Sequence, residues 1–406
     1  AASALTSSPA VHVPASPAQE VVDLPDEDRL LAFETEELFS VGGFEATGWD
    51  AFGDVEGVAF DDSGHLYIFD GQVARMFVLD RDGRLVRDFG RQGEGPGELR
   101  GPWDFAVTPD GRTIIHDAAD GAFVIFAPDG LFERQVSTSG GFEALAAGGS
   151  FSFSGVSVGR FRALGEGDEV VAFSGRKVTR WNVSGQDAES AVVLEGWEPP
   201  PAPRREVPQG QLSEGVSVNL QVERAFTPGM YATSFADGRI AYSDSSDYEI
   251  RLAGPDGEIF RVFRRAIASE TVTEEVMANE RERRERPERA PKSSFSIVMN
   301  GVDVGGLMQQ WEADPKNLVF WPEVPVLRGI RSSWEGLLWI RRRGDKPHEI
   351  DGPIDIVHLA DGYVGTLEGG TPLPDAFGPD GIVAYIEMDE YDAQRVVVRR
   401  LPEAVR

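Results

Sequence analysis

One fourteen-residue pattern recurs through the chain and decides what it can fold into. GVAFDDSGHLYIFD (Gly57 to Asp70), DFAVTPDGRTIIHD (Asp104 to Asp117), YATSFADGRIAYSD (Tyr231 to Asp244), GIRSSWEGLLWIRR (Gly329 to Arg342) and, more weakly, PDAFGPDGIVAYIE (Pro374 to Glu387) each hold a glycine at the eighth place. Each copy joins two short β-rich runs across a turn, where glycine is free to take a positive φ. In the clearest copy, Gly97 to Gly130, a third run follows at Ala122 to Phe126, and Pro128-Asp129-Gly130 reverses the chain into a fourth, LFERQV. Four short antiparallel strands in about 40 residues form a sheet too small to bury its own faces, so each must pack on a neighbour. The pattern predicts an all-β fold, a β-propeller.

The glycine spacing counts the blades. Gly64 and Gly111 stand 47 residues apart, and Gly336 and Gly381 stand 45 apart, each the length of one blade. The 127 residues between Gly111 and Gly238 leave room for one unmatched blade, and the 98 between Gly238 and Gly336 hold a charged, non-β insertion. Five copies and one degenerate copy predict six blades over residues 31–406, with seven as the alternative. Strands of the degenerate third blade are expected at Ser150 to Val158, Asp168 to Gly175, Lys177 to Val183 and Glu189 to Gly196.

The last blade, ending at Arg395 to Leu401, lacks a fourth strand. Residues 31–41 are expected to fill the gap and close the propeller without an open edge. Residues 1–30 read as a disordered leader or the remnant of a secretory signal peptide, since the small residues of Ala1 to Ala18 suit both. A helical insertion is expected over residues 268–310, after blade four. Within it, Thr271 and Glu274 form a capping box and Pro287 stops a helix that is charged nearly all round. Such a helix either bridges two blades in solvent or rests on a rim as a lid or partner-docking element.

The net charge of −29 repels phosphate backbones, so nucleic acid is excluded as a partner. The absence of cysteine excludes disulfides, thiolate catalysis and cysteine-ligated zinc. No apolar run reaches the roughly 18 residues that a transmembrane helix needs.

In a propeller the ends of second strands and the starts of first strands gather at one mouth of the channel. Six places after each turn glycine stand Asp70, Asp117, Asp244, Arg342 and Glu387; eight places before it stand Glu56, Trp103, Met230, Arg328 and Leu373. The candidate ligand-binding residues are therefore Glu56, Trp103, Asp104, Asp117, Asp244, Arg328, Arg342 and Glu387. Clustered carboxylates could hold a divalent cation, calcium through Asp70, Asp117, Asp244 and Glu387. The competing structural role is an Asx-type turn, in which each aspartate accepts backbone N–H groups and needs no ligand. His65, His116 and His358 are expected as packed or hydrogen-bonded sheet residues, and Trp334 and Trp339 as core.

The string FGRQGEGPGELRGPWDFAVTPDG (Phe89 to Gly111), with GVAFDDSGHLYIFD, resembles the NHL-repeat type of six-bladed propeller, in particular bacterial, exported members of unassigned function. That resemblance covers about residues 31–406 and implies an extracytoplasmic (periplasmic or secreted) location. At the level of fold the chain also looks related to peptidyl-hydroxyglycine amidating lyases, which hold zinc with central histidines, and to lactonases of the gluconolactonase type, which hold calcium with inner-strand acids. It departs from both, because its five histidines show no ligand spacing. The expected function is a non-enzymatic binding or scaffold propeller that engages a protein, peptide or small ligand through an acidic mouth. The alternative is a metal-dependent lactonase or lyase.

Overall fold

A computed structural model of the chain describes residues 19–138, 161–165, 167–206, 219–285, 298–299, 302–303 and 315–406. They form an all-β, propeller-like arrangement with one α-helix among the described residues. Sheet one comprises Val55–Phe60, Leu66–Asp70, Arg75–Leu79 and Leu85–Phe89. Sheet two comprises Pro102–Val107, Thr113–Asp117, Ala122–Phe126 and Phe132–Thr138.

Sheet three holds Phe161–Ala163, Glu169–Ser174, Lys177–Asn182 and Asp187–Glu195. Sheet four holds Tyr231–Ser234, Ile240–Ser243, Glu249–Ala253 and Ile259–Arg264. Sheet five holds Leu327–Ser332, Leu337–Arg342, Ile354–His358 and Gly362–Leu367. In sheet six, Ala376–Phe377, Ile382–Met388 and Gln394–Arg400 are joined by Glu36–Gly42.

Each of the five turn glycines has a positive φ: 75° at Gly64, 90° at Gly111, 82° at Gly238, 91° at Gly336 and 70° at Gly381. A side chain there would be strained, which is why this position keeps its glycine while the strands around it diverge. Middle strands such as LYIFD and AFVIF are mostly apolar and buried, because sheets cover both of their faces, whereas the outer strand LVRDF is partly solvated.

Six apolar clusters hold the sheets together, and each draws on two of them. Phe69 and Phe105 belong to one between sheets one and two; Phe123 and Val170 to one between two and three; Val171 and Tyr242 to one between three and four. Ile250 and Ile340 bind four to five, Trp339 and Tyr385 bind five to six, and Ile68 and Val398 bind six to one.

The N-terminal segment departs from expectation. Residues 20–30, expected as part of a disordered leader, are ordered: Glu20–Asp23 adds a parallel fifth strand to sheet four along Ile259–Arg264, and Leu24 is buried between sheets four and five. An open strand edge satisfies the backbone of this segment, and its acidic run supplies countercharge to buried arginines. The chain then bridges Leu30 to Thr366, packs Leu31 and Phe33 between sheets five and six, and pairs Glu36–Gly42 antiparallel with Gln394–Arg400. The segment thus straps the outer edges of three consecutive sheets.

The expected strand Ser150 to Val158 lies outside the described residues; the first strand of sheet three is Phe161–Ala163, paired with Glu169–Ser174. The helix spans Glu274–Arg284, and its cap is Thr273, which accepts the Val276 N–H; Thr271 instead pairs with Glu323 in a two-residue strand. Charge rather than an apolar face seats this helix. Glu280 is buried and clasped by Arg283 and Arg284, Arg284 reaches Glu223, and Arg281 stacks 4.9 Å from the Phe320 ring centroid. Trp339 is core as expected, whereas Trp334 sits in the turn before Gly336 and is 40% exposed.

Candidate functional site

The aspartates that end the second strands act as clamps. Asp70 accepts the N–H groups of Gly53 at 2.8 Å, Asp54 at 3.2 Å and Gln72 at 3.0 Å. Asp117 accepts those of Arg100 at 2.6 Å, Gly101 at 3.0 Å, and Ala119 and Asp120 at 3.2 Å each. Asp244 accepts the Trp197 N–H at 2.6 Å and pairs with Arg251. Each carboxylate therefore fastens the segment arriving from the preceding sheet to the end of a second strand. All three are nearly fully buried.

This geometry does not gather the proposed ligands of a cation. Glu387 is held by Arg395 and Arg399, both at 2.8 Å. Among the described residues no three histidine, aspartate or glutamate side chains come together as a metal site. Backbone donors and arginines take up the oxygens of Asp70, Asp117, Asp244 and Glu387.

The other candidates divide in the same way. Arg342 bonds Asp28 at 2.7 Å and lies 3.4 Å from Asp355, as part of a buried network. The Arg328 guanidinium donates to the carbonyls of Pro325, Leu327 and Pro347, and burial lowers its pKa. Asp104 accepts the Phe161 N–H at 2.8 Å and so ties the first strand of sheet two to that of sheet three. Glu56 is exposed; partial burial pushes its carboxyl pKa up, and the charges of Asp54 and Asp70 push the same way. Trp103 is 48% exposed.

His116 stacks against Phe123 and Phe161, and burial lowers its pKa against the pull of Asp117. His65 bonds Asp61 and His358 bonds Asp361, so these three are sheet and turn residues.

A polar cleft opens where the first strands of sheets three, four and five meet. Arg162, Tyr231, Thr233 and Arg331 line it together with Lys177 of sheet three, over an apolar floor of Phe173, Met230 and Ile330. A hydroxyl chain sews its wall: Thr233 and Ser332 bond at 2.9 Å, Ser332 donates to the Ser234 carbonyl at 2.9 Å, and Arg162 reaches Ser332 at 3.5 Å. Burial pushes the Tyr231 phenol up, opposed by nearby Arg328. Among the described residues the lining holds three basic residues and no carboxylate. Sequence reasoning missed it, although one signal was present: Arg331 stands where the aligned copies carry Ala59, Ala106, Thr233 and Ala376.

No curated protein matches the chain. A member of the DUF4221 family from Bacteroides vulgatus is similar in structure at TM-score 0.48 and 9% identity, over 91% of this chain and 98% of that one. Virginiamycin B lyase from Staphylococcus aureus reaches TM-score 0.39 at 10% identity, over 90% and 99%. The WD40 repeats of RRP9 reach 0.41 at 8% identity, over 91% and 100%. In sequence, residues 50–136 match a family described as a 6-bladed beta-propeller.

Proposed function

We propose that the chain is a six-bladed, NHL-type propeller, closed by the pairing of Glu36–Gly42 with Gln394–Arg400, and that it works as a ligand-binding module rather than a catalyst. Among the described residues, six four-strand units, of which the second and third are hydrogen-bonded edge to edge at Ser137–Asp187 and Thr138–Ala188, and six apolar clusters, the sixth joining the last unit to the first, support six blades over seven. The observation that carries the binding reading is the convergence of side chains from three sheets on one polar cleft, while the mouth acids are consumed in holding the fold. The recognition site is thus the cleft between first strands, and the acidic rim contributes Glu56 and Trp103 as exposed groups.

The test is a thermal-shift panel of small neutral, cationic and anionic ligands at millimolar concentration. A ligand that binds only the folded state raises Tm by mass action. At least one class should raise Tm in the wild type and lose that effect in Thr233→Val or Tyr231→Phe. Silence across the whole panel overturns the binding reading.

A further inference from the structure

Sheet four carries a strand that its repeat does not need. The cleft lies at its inner edge; at its outer edge Glu20–Asp23 is added to the four strands of the repeat. This fifth strand runs parallel, from Glu20 opposite Arg261 to Asp23 opposite Arg264.

The segment is seated as a separate peptide would be. Backbone pairing fixes its direction, and the Leu24 N–H continues the ladder to the Arg264 carbonyl at 2.7 Å. The Leu24 side chain is buried between sheets four and five. Beyond it the chain turns acidic as it meets cations. Asp28 bonds Arg265 at 2.6 Å and Arg342 at 2.7 Å, and the Arg265 Nε donates to the Pro25 carbonyl at 2.6 Å. Glu20 pairs with Arg261 at 2.6 Å. Three guanidinium groups along one groove stand out in a chain of net charge −29. Strand edge, apolar hollow and basic groups together recognise an extended peptide with an apolar anchor followed by acids.

The hold is light. Of residues 20–30 only Leu24 is buried and Val22 half-buried, and the others are exposed. Segments with few buried contacts open at a free energy well below that of global unfolding. When this one opens, sheet four keeps its own four strands, and Arg265 and Arg342 keep Asp355 as a partner. The groove thus outlasts its occupant.

We propose that the outer edge of sheet four is a docking groove for an extended acidic peptide of a partner protein, and that residues 20–30 are a built-in occupant that keeps it shut. A partner segment enters by displacing the strap. The tethered strap competes at an effective concentration near millimolar, so free peptide is kept out until the strap is weakened or outmatched.

The experiment titrates a fluorescein-labelled peptide of residues 19–30, QEVVDLPDEDRL, into the full chain and reads anisotropy. Apparent affinity scales with the fraction of molecules whose groove is open. Leu24→Ala in the protein removes the strap's anchor while the peptide keeps its own. This variant should bind the peptide at least about tenfold more tightly than wild type does. A peptide carrying Leu24→Ser and Asp28→Lys should not bind. Should Leu24→Ala fail to fold, by circular dichroism, Asp28→Ala should tighten the intact peptide by about fivefold. In hydrogen exchange of the wild type, residues 20–30 should exchange well before Glu249–Ala253 of the same sheet. The proposal is overturned if the loosened protein binds the peptide no better than wild type, if the altered peptide binds as well as the intact one, or if residues 20–30 exchange only with global unfolding. Dimerisation of the loosened protein that shuts out the peptide would overturn it too, by giving the groove to a second copy of the chain.

Discussion

The same structural place is solved in opposite ways in sheets two and five. In sheet two the second strand ends on Asp117, a buried carboxylate ringed by four backbone N–H groups. In sheet five the aligned residue is Arg342, and the negative charge arrives from elsewhere: Asp28 on the N-terminal strap and Asp355 on the third strand. Those two acids also hold Arg265, fully buried, at 2.6 and 2.9 Å, while the Pro25 carbonyl accepts from its Nε and the Tyr363 ring lies 4.8 Å away. Thr366 donates to Asp355 at 2.7 Å. Sheet two thus carries its clamp within its own repeat, whereas sheet five borrows part of its clamp from a segment more than 300 residues away. A repeat can therefore lose its signature acid where a long-range partner supplies the charge.

Breaking the borrowed clamp should have the largest effect. Asp355→Ala leaves Arg265 buried and short of its partner, which costs about 3–5 kcal/mol for such a pair, read as a fall in the urea midpoint. Next comes a swap that forces sheet five to copy sheet two. Arg342→Asp would crowd a third carboxylate against Asp28 and Asp355, and a loss of about 3 kcal/mol is expected; a gain in stability would mean the two places are equivalent after all.

In sheet two, Asp117→Ala orphans four backbone donors, some of which can find water, for a loss of about 2–3 kcal/mol. Asp117→Asn should recover part of that.

The smallest stability effect sharpens the comparison by pH. Burial pushes the Asp28 carboxyl up, but Arg342 and Arg265 outweigh it and hold the pKa below its ordinary value. A depressed folded-state pKa stabilises above the unfolded value near 4 and is lost as pH falls through the folded one. Asp28→Asn should therefore cost about 1 kcal/mol at pH 7, an amount limited by the partial exposure of the side chain, and the difference from wild type should shrink as pH falls below the unfolded value. A constant difference across that range would detach Asp28 from the network. Finally, excess chelator or millimolar calcium should leave Tm unchanged, since Asp70, Asp117 and Asp244 are already saturated by protein donors.

What could be read from the sequence follows from which constraints are local. Gly64, Gly111, Gly238, Gly336 and Gly381 are legible because a positive φ admits few other residues, and the strands on either side follow from them. The Asx role of Asp70 and Asp117 is equally local in part, since Gln72, Ala119 and Asp120 lie within three residues. Their second set of donors, Gly53 and Arg100, depends on where the preceding sheet delivers the chain.

The strap was hidden for the same reason. An acidic run such as DLPDEDR looks solvated until Arg265 and Arg342 are brought to it by the fold. The cleft was hidden because its cations come from three strands that no short motif links, and the stretch leading to Arg162 lacks the turn signature.

The strap also sets an order of events during synthesis. Glu36–Gly42 leaves the ribosome long before the strand it pairs with, Gln394–Arg400. Sheets one to three can assemble from neighbouring residues as they emerge, but Glu36–Gly42 must wait unpaired until Gln394–Arg400 has been made. A pause or truncation ahead of Gln394–Arg400 would strand a sticky, half-finished molecule, so dependence on chaperones should last until that strand has been translated.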